Sequence, residues 1–556
     1  MNQNPQPNPK IIDGQILFAP MYSTTTYLID NTGVVNHTWP SSYMPGEAVC
    51  WLGDGTILRT IKTGAMGGGA GGGVQRMQWD GTVIWDFRYD TNEYLSHHDI
   101  KPLPNGNVLM IAWETKTLDQ AVNAGRDPNT VLGNTFLPDH VIEVQPTGPT
   151  SGTIVWEWHV WDHLIQDYDA AKENYGVVED YPELIDINFG VGELGRDWLH
   201  TNSIDYNEIY DQILLSVLNF NEIWVIDHST TTEEAAGHNG GNSGKGGDIL
   251  YRWGNPQAYR AGTPSDQKLF GQHDTSWIAS GHPGEGDILV FNNGVGRGYS
   301  SVDEIVLPVD NNGLYYLEPN SSYGPTYPIW MYNGNPLPSF YATQFSGTER
   351  LADGNTLICN GMTGKFFEVT PDKVTVWQYI NPYPTQFTNY VFKIEYIPPE
   401  EPPQPEIPDL DCIGSLSWTN VQPGETVNGT FEIQNIGGPD SLLNWTINVT
   451  SIEWGNWSFT PESGENLTPD EGQITINISV IAPSEKNSDF EGYIRVENQN
   501  DPNDFDVIPV TLTTPTNINV VHKALQHQFL LQFLQRHLLI ETLWNLLSRW
   551  HEPLSK

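Results

Sequence analysis

KLFGQHDTSWIASGHPGEGDILVFNNGVGRG, residues 268–298, places a histidine, His273, ahead of a short strand, a polar turn and an aliphatic strand. The same order recurs at His98 in LSHHDIKPLPNGNVL and at His200 in DWLHTNSIDYNEIYDQIL. Turn signals of this kind between short apolar runs mark β-hairpins and not paired helices. If the copies are blades of a closed ring, equivalent positions share radius and height. Three histidines far apart in sequence then converge on one axis.

A second signature fixes the number of copies. Between residues 15 and 396 an aliphatic residue, a tryptophan or tyrosine, and an aromatic two residues on recur as VIWDF (83–87), IVWEW (154–158), ILYRW (249–253), IWMY (329–332) and VWQY (376–379), with a degenerate VNHTW at 35–39. Alternation puts both rings on one face of a strand, where they fill the space between adjoining sheets. Read as the opening strand of each unit, this segment is followed by a turn and an aliphatic strand at LGDGTIL (52–58), LPNGNVL (103–109), YNEIYDQIL (206–214), GHPGEGDIL (281–289) and LADGNTL (351–357). Six radial sheets make a propeller, and the strands near 15–29 are expected to help close the ring.

The rest of the chain has a different texture. Residues 398–411, PPEEPPQPEIPDLD, read as a stiff acidic linker. Residues 412–514 show alternating runs spaced as in an immunoglobulin-like β-sandwich. Residues 515–556 are poor in acids and rich in Leu, Gln, His and Trp, which reads either as an amphipathic helix able to meet a membrane or partner, or as an unstructured tail. The expected architecture is all-β: a six-bladed β-propeller over 1–397, then the sandwich.

Composition narrows the partners. With 68 acidic against 25 basic residues and a formal charge of −43, the surface repels nucleic acid. The three cysteines, Cys50, Cys359 and Cys412, have no Cys-x-x-Cys spacing and read as small buried apolar residues. The start MNQNPQPNPK lacks the basic and apolar runs of a secretory signal, whereas Asn-x-Ser/Thr triplets at Asn428, Asn444, Asn448, Asn456, Asn466 and Asn477 point to an exported, extracellular or cell-surface protein. The glycine tract GAMGGGAGGG (64–73) lacks the Gly-Lys-Ser/Thr ending of a phosphate-binding loop and reads as a flexible surface loop.

The histidine trio is the candidate site, with Trp198, Phe270 and Trp277 as aromatic walls and His98, not His97, facing inwards. Imidazoles can transfer protons, act as nucleophiles or hold zinc. Here they come from separate blades without a short-spaced ligand pair.

FGQHDTSWI with GDILVFNNGVGRGYSSVDEI, DWLHTNSIDY with NEIWVIDHSTTTEEA, HHDIKPLPNGNVLMIAWE and FSGTERLADGNTLICNG together resemble the arylsulfotransferase (aryl-sulfate sulfotransferase) family over roughly residues 17–396. The resemblance implies a six-bladed propeller that moves a sulfuryl group from an aryl sulfate to a phenol through a sulfated histidine, with no nucleotide donor, cofactor or metal. It makes His273 the nucleophile, with His98 and His200 on the sulfuryl oxygens and Asn202 in the same pocket. Where the family commonly has a basic residue, this chain has Leu218; Arg297 is the candidate substitute. Two other classes remain open at this point: a non-catalytic surface propeller binding glycans or proteins, and a histidine-metal lyase or hydrolase.

Overall fold

The computed structural model describes residues 13–515 except 65–67, 191–195, 320, 400–407, 439–440 and 451. Two compact units divide at Pro399 and Glu400. Most of the proline-rich stretch and the reading of 516–556 as helix or tail lie outside the described residues.

The first unit holds six antiparallel four-stranded sheets. In the first blade Val391–Ile397 is innermost, followed by Gln15–Pro20, Thr25–Asp30 and Val35–Pro40. The two ends of the propeller thus share one sheet, with Gln15 opposite Ile397 and Phe18 opposite Ile394. The innermost strands of the next five blades are Pro45–Trp51, Tyr94–Pro102, Thr201–Asn207, His273–Trp277 and Gly347–Arg350. Each pairs with its successor through the hairpin marked by the turn signals.

The tryptophan signature is a real sixfold repeat, but it closes each blade and does not open it. Val83–Arg88, Ser151–His159, Tyr251–Trp253, Trp330–Tyr332 and Thr375–Ile380 are all outermost strands. Their placement has a chemical reason. Each first aromatic of the signature reaches the turn between the third and fourth strands of the following blade. Trp39, Trp85, Trp330 and Trp377 donate their indole N–H groups to the carbonyls of Gln78, Ser151, Pro371 and Asn31 at 2.6–3.0 Å. Trp156 donates to Thr230 Oγ1 at 3.1 Å, and the Tyr251 hydroxyl to the Gly324 carbonyl at 2.8 Å. The polar edge of each ring ties one blade to the next while its apolar body packs between them.

Trp85→Phe removes one such tie at a residue only 3% exposed. The expected loss is about 1–2 kcal/mol, from one net hydrogen bond plus reduced packing. A urea titration followed by fluorescence checks it.

A second set of ties runs near the axis. Asp99, Asp205, Asp274, Glu349 and Glu395 accept the backbone N–H groups of Ile204, Trp277, Thr348, Tyr396 and Trp51, each on the next innermost strand, at 2.8–3.2 Å. Much of the chain's acidic character near the axis is therefore structural. Cys50 and Cys359 are free and buried, and Cys412 is half-buried.

The second unit is a sandwich of a four-stranded and a five-stranded sheet. Phe431, Ile433, Ile476 and Ile478 of one sheet share a core with Trp445, Ile494, Val496 and Val510 of the other. Of its triplet asparagines, Asn428, Asn456, Asn466 and Asn477 are exposed, while Asn444 and Asn448 are half-buried. No helix among the described residues is long and apolar enough to cross a membrane.

Candidate active site

His98, His200 and His273 lie together on a cavity of about 740 Å3, walled by Gly68, Gly69, Gly190, Leu218, Asn219, Asn221, Gln267, Phe270, Gly271, Val295 and 343–345. Bulges in the innermost strands aim them there. The pairing register slips between Ser96 and Ile100, between Thr201 and Ser203, and between His273 and Thr275. His98, His200 and Asp274 accordingly adopt φ of 52°, 55° and 46°. A non-glycine residue in the left-handed region is strained, and such strain persists where a bulge re-aims a side chain.

His273 is held by a fixed amide. Its Nδ1 lies 2.9 Å from Asn293 Oδ1 and 3.1 Å from the Gly271 carbonyl. Asn293 donates its Nδ2 to the carbonyls of Ala342 and Phe345, both at 2.9 Å, so its oxygen must accept. Both partners of Nδ1 are acceptors, which puts the ring hydrogen on Nδ1 and leaves a lone pair on Nε2. Burial pushes the His273 pKa down to about 4, against the opposing effect of the Asn293 hydrogen bond. The ring is therefore neutral across the physiological range.

His200 is oriented differently. Its Nδ1 bonds the Asp197 carboxylate, whose other oxygen accepts the Trp113 indole N–H at 2.9 Å. His98 meets His200 edge to face with ring centroids 4.5 Å apart. Burial first, then the cost of adding a positive charge beside His200, His97 and His273, holds its pKa well below the usual imidazole range. His97 stacks on Trp113 at 4.1 Å behind the cavity wall, with its Nδ1 2.8 Å from Nδ1 of His98. Phe392, on the closing strand, lies 6.0 Å from His98 and 6.3 Å from His273 between ring centroids.

The other expected wall and contact residues are placed differently. Phe270 and Leu218 line the cavity. Asn202 is fully buried and does not line it; its Nδ2 donates at 2.8 Å to the carbonyl of Gln272, the residue before His273. Trp198 is buried behind the wall, its indole donating to Phe189. Trp277 lines a separate cavity of about 320 Å3, which takes the whole run 274–279 from the same strand onwards. Arg297 does not line the histidine cavity: it bonds Ser301 Oγ at 2.9 Å and sits 5.6 Å from the Phe270 ring centroid, backing that ring. Among the described residues, histidines are the titratable groups on the cavity wall. Lys62, which lies 3.5 Å from Glu47, adds a smaller downward push on the His98 pKa.

Residues 69–73 of the glycine tract are a packed part of this site and not a free loop. Ala70 to Gly73 are buried, the Gly69 carbonyl accepts the His98 N–H at 2.8 Å, and Gly71 N–H donates to Ser96. A Cβ on Gly69, whose φ is +73°, would lie 1.8 Å from Cε1 of His98. Only glycine lets the backbone cover that ring.

Asn293→Asp tests the role of the amide. A carboxylate on Nδ1 favours the charged ring, raising the His273 pKa by about one unit or more. For a reaction carried by the neutral ring, activity is lost as pH falls through that pKa, and the acid limb of kcat/KM should move upwards by the same amount. An unmoved limb would show that Asn293 only fills space.

Among curated proteins none matches the chain. Solved structures that resemble it include a Bacteroides caccae protein of unknown function (13% identity, 69% of this chain and 99% of that one, TM-score 0.39). Virginiamycin B lyase from Staphylococcus aureus (10%, 66% and 84%, 0.29) and regucalcin from Agrobacterium tumefaciens (10%, 63% and 82%, 0.28) also match. The model of the arylsulfotransferase family matches residues 2–396, which span the whole propeller with its three convergent histidines, and the chain belongs to that family.

Proposed function

We infer that this protein transfers a sulfuryl group from an aryl sulfate to a phenol through a sulfohistidine at His273. The observation that carries this reading is the His273 ring itself: a buried, neutral imidazole with its hydrogen fixed on Nδ1, at a cavity shared with two further histidines. Its Nε2 lone pair attacks sulfur, the N–S bond forms, and the S–O bond to the aryl group breaks with its electron pair leaving on the phenolate. The acceptor phenol then gives its proton to Nε2 of His200, its oxygen attacks the same sulfur, and the N–S electrons return to Nε2 of His273. His200, as an imidazolium paired through Nδ1 with Asp197, donates from Nε2 to the sulfuryl oxygens and then gives that proton to the departing phenolate, while His98 donates from its other nitrogen to the sulfuryl oxygens. Phe270 and Phe345 offer faces for the aromatic rings. With Leu218 on the wall and no Lys or Arg among the described lining residues, charge stabilisation falls to the histidines. The exposed triplet asparagines of the second unit support reading the protein as exported.

Initial rates with an aryl sulfate donor and a phenol acceptor test the route. Parallel double-reciprocal lines are expected, because the first product leaves before the acceptor binds. Intersecting lines would mean a ternary complex and no covalent intermediate.

A further inference from the structure

A second histidine cluster lies away from this cavity. His163, at the end of the turn that follows Ser151–His159, is fully buried. His238 and Asp248 come from the long insertion between Glu222–Asp227 and Tyr251–Trp253. One ligand atom from each of the three falls within 4.8 Å of the others. None of them lines the histidine cavity.

The hydrogen count around His163 is the informative point. Its Nε2 is 2.8 Å from the Ala235 carbonyl, which can only accept, so the hydrogen of a neutral ring sits there. Its Nδ1 then presents a lone pair to Asp248 Oδ1 at 2.8 Å, and His238 Nδ1 approaches the same oxygen at 2.7 Å. A positive charge belongs between these three atoms. A proton on His163 would serve one imidazole; a metal ion serves both. A ring N–H donated to a backbone carbonyl is also the usual way a metal-bound imidazole is oriented.

We propose that His163, His238 and Asp248 hold a divalent transition-metal ion, zinc by their ligand types, that fastens the insertion to the turn after Ser151–His159. Two imidazoles and one carboxylate match zinc with a fourth position left for water. Zinc–ligand bonds of about 2.0–2.2 Å space the ligand atoms more widely than they stand, by roughly half an ångström. The flanking glycines at 240, 241, 244, 246 and 247 make that adjustment local. Gly247 itself is packed tightly: a Cβ there would meet the Ala235 carbonyl oxygen at 2.0 Å and His163 Nε2 at 2.7 Å.

The test uses the full chain, freed of metal by a chelator and then given zinc chloride alone. One zinc per chain should be retained after dialysis, and Tm should rise on adding zinc and fall reversibly on chelation. His238 is more than half exposed, so His238→Ala should fold normally yet lose both the bound zinc and the Tm response, with sulfuryl transfer unchanged. His163→Gln should lose zinc as well. A folded wild-type chain that takes up no zinc at micromolar concentration overturns the proposal and leaves a buried imidazolium paired with Asp248. So does uptake that persists in His238→Ala, which would place the metal elsewhere.

Discussion

His273→Asn will abolish sulfuryl transfer while leaving the fold intact. The asparagine retains part of the ring's volume and hydrogen bonding at a cavity wall but has no nitrogen lone pair that can form a bond to sulfur. Deleting a covalent nucleophile typically costs on the order of a millionfold in turnover, against a residual rate from binding and charge stabilisation. The direct check is intact-protein mass spectrometry after mixing with excess aryl sulfate and no acceptor. Wild type should gain one acid-labile sulfuryl group on the peptide spanning 272–277, and the variant none. Label found only on another peptide, or a variant that turns over at the wild-type rate, would remove His273 from the nucleophile's role.

His200→Asn should be damaging but incomplete. It takes a hydrogen-bond donor from the sulfuryl oxygens and leaves the Asp197 carboxylate without its imidazole. Loss of one such donor costs about 3–4 kcal/mol, roughly a hundredfold to a thousandfold in kcat/KM. The peptide around His273 should still become labelled, more slowly. Complete absence of label with a normal thermal melt would assign the covalent step to His200 as well.

The repeat was legible because propeller blades spend large aromatic residues at fixed places, and a Trp two residues from another ring stands out against any background. What it did not disclose was the phase. A cyclic repeat has no natural start in sequence, and the tryptophan strand reads equally well as first or last until its indole partners on the next blade are known. The histidine trio could be read because all three precede the same hairpin. Asn293 and Asp197 could not, although the spacing of Asp197 and His200 in DWLH was a usable signal. Their roles depend on which side of a bulged strand faces inwards, and one extra residue reverses that parity. Trp277, four residues from His273, belongs to a different cavity, lined by the whole run 274–279. Gly69 was read through its flexibility, whereas its function is to have no side chain where the backbone crosses His98.

The shared first blade sets the order in which this protein can become active. Val391–Ile397 pairs with Gln15–Pro20, across almost the whole propeller sequence, and it carries Phe392 beside His98 and His273 as well as Lys393, whose Nζ lies 2.8 Å from Asp99. During synthesis, five blades and their histidines can emerge before that strand exists. Contacts of such long sequence separation form late because the loop-closure entropy must be met first. A nascent chain stopped before residue 391 therefore holds every proposed catalytic histidine and lacks the floor on which two of them rest. The candidate site is therefore complete only when the last strand has paired with the first, and a half-made chain has no assembled cavity for the proposed chemistry.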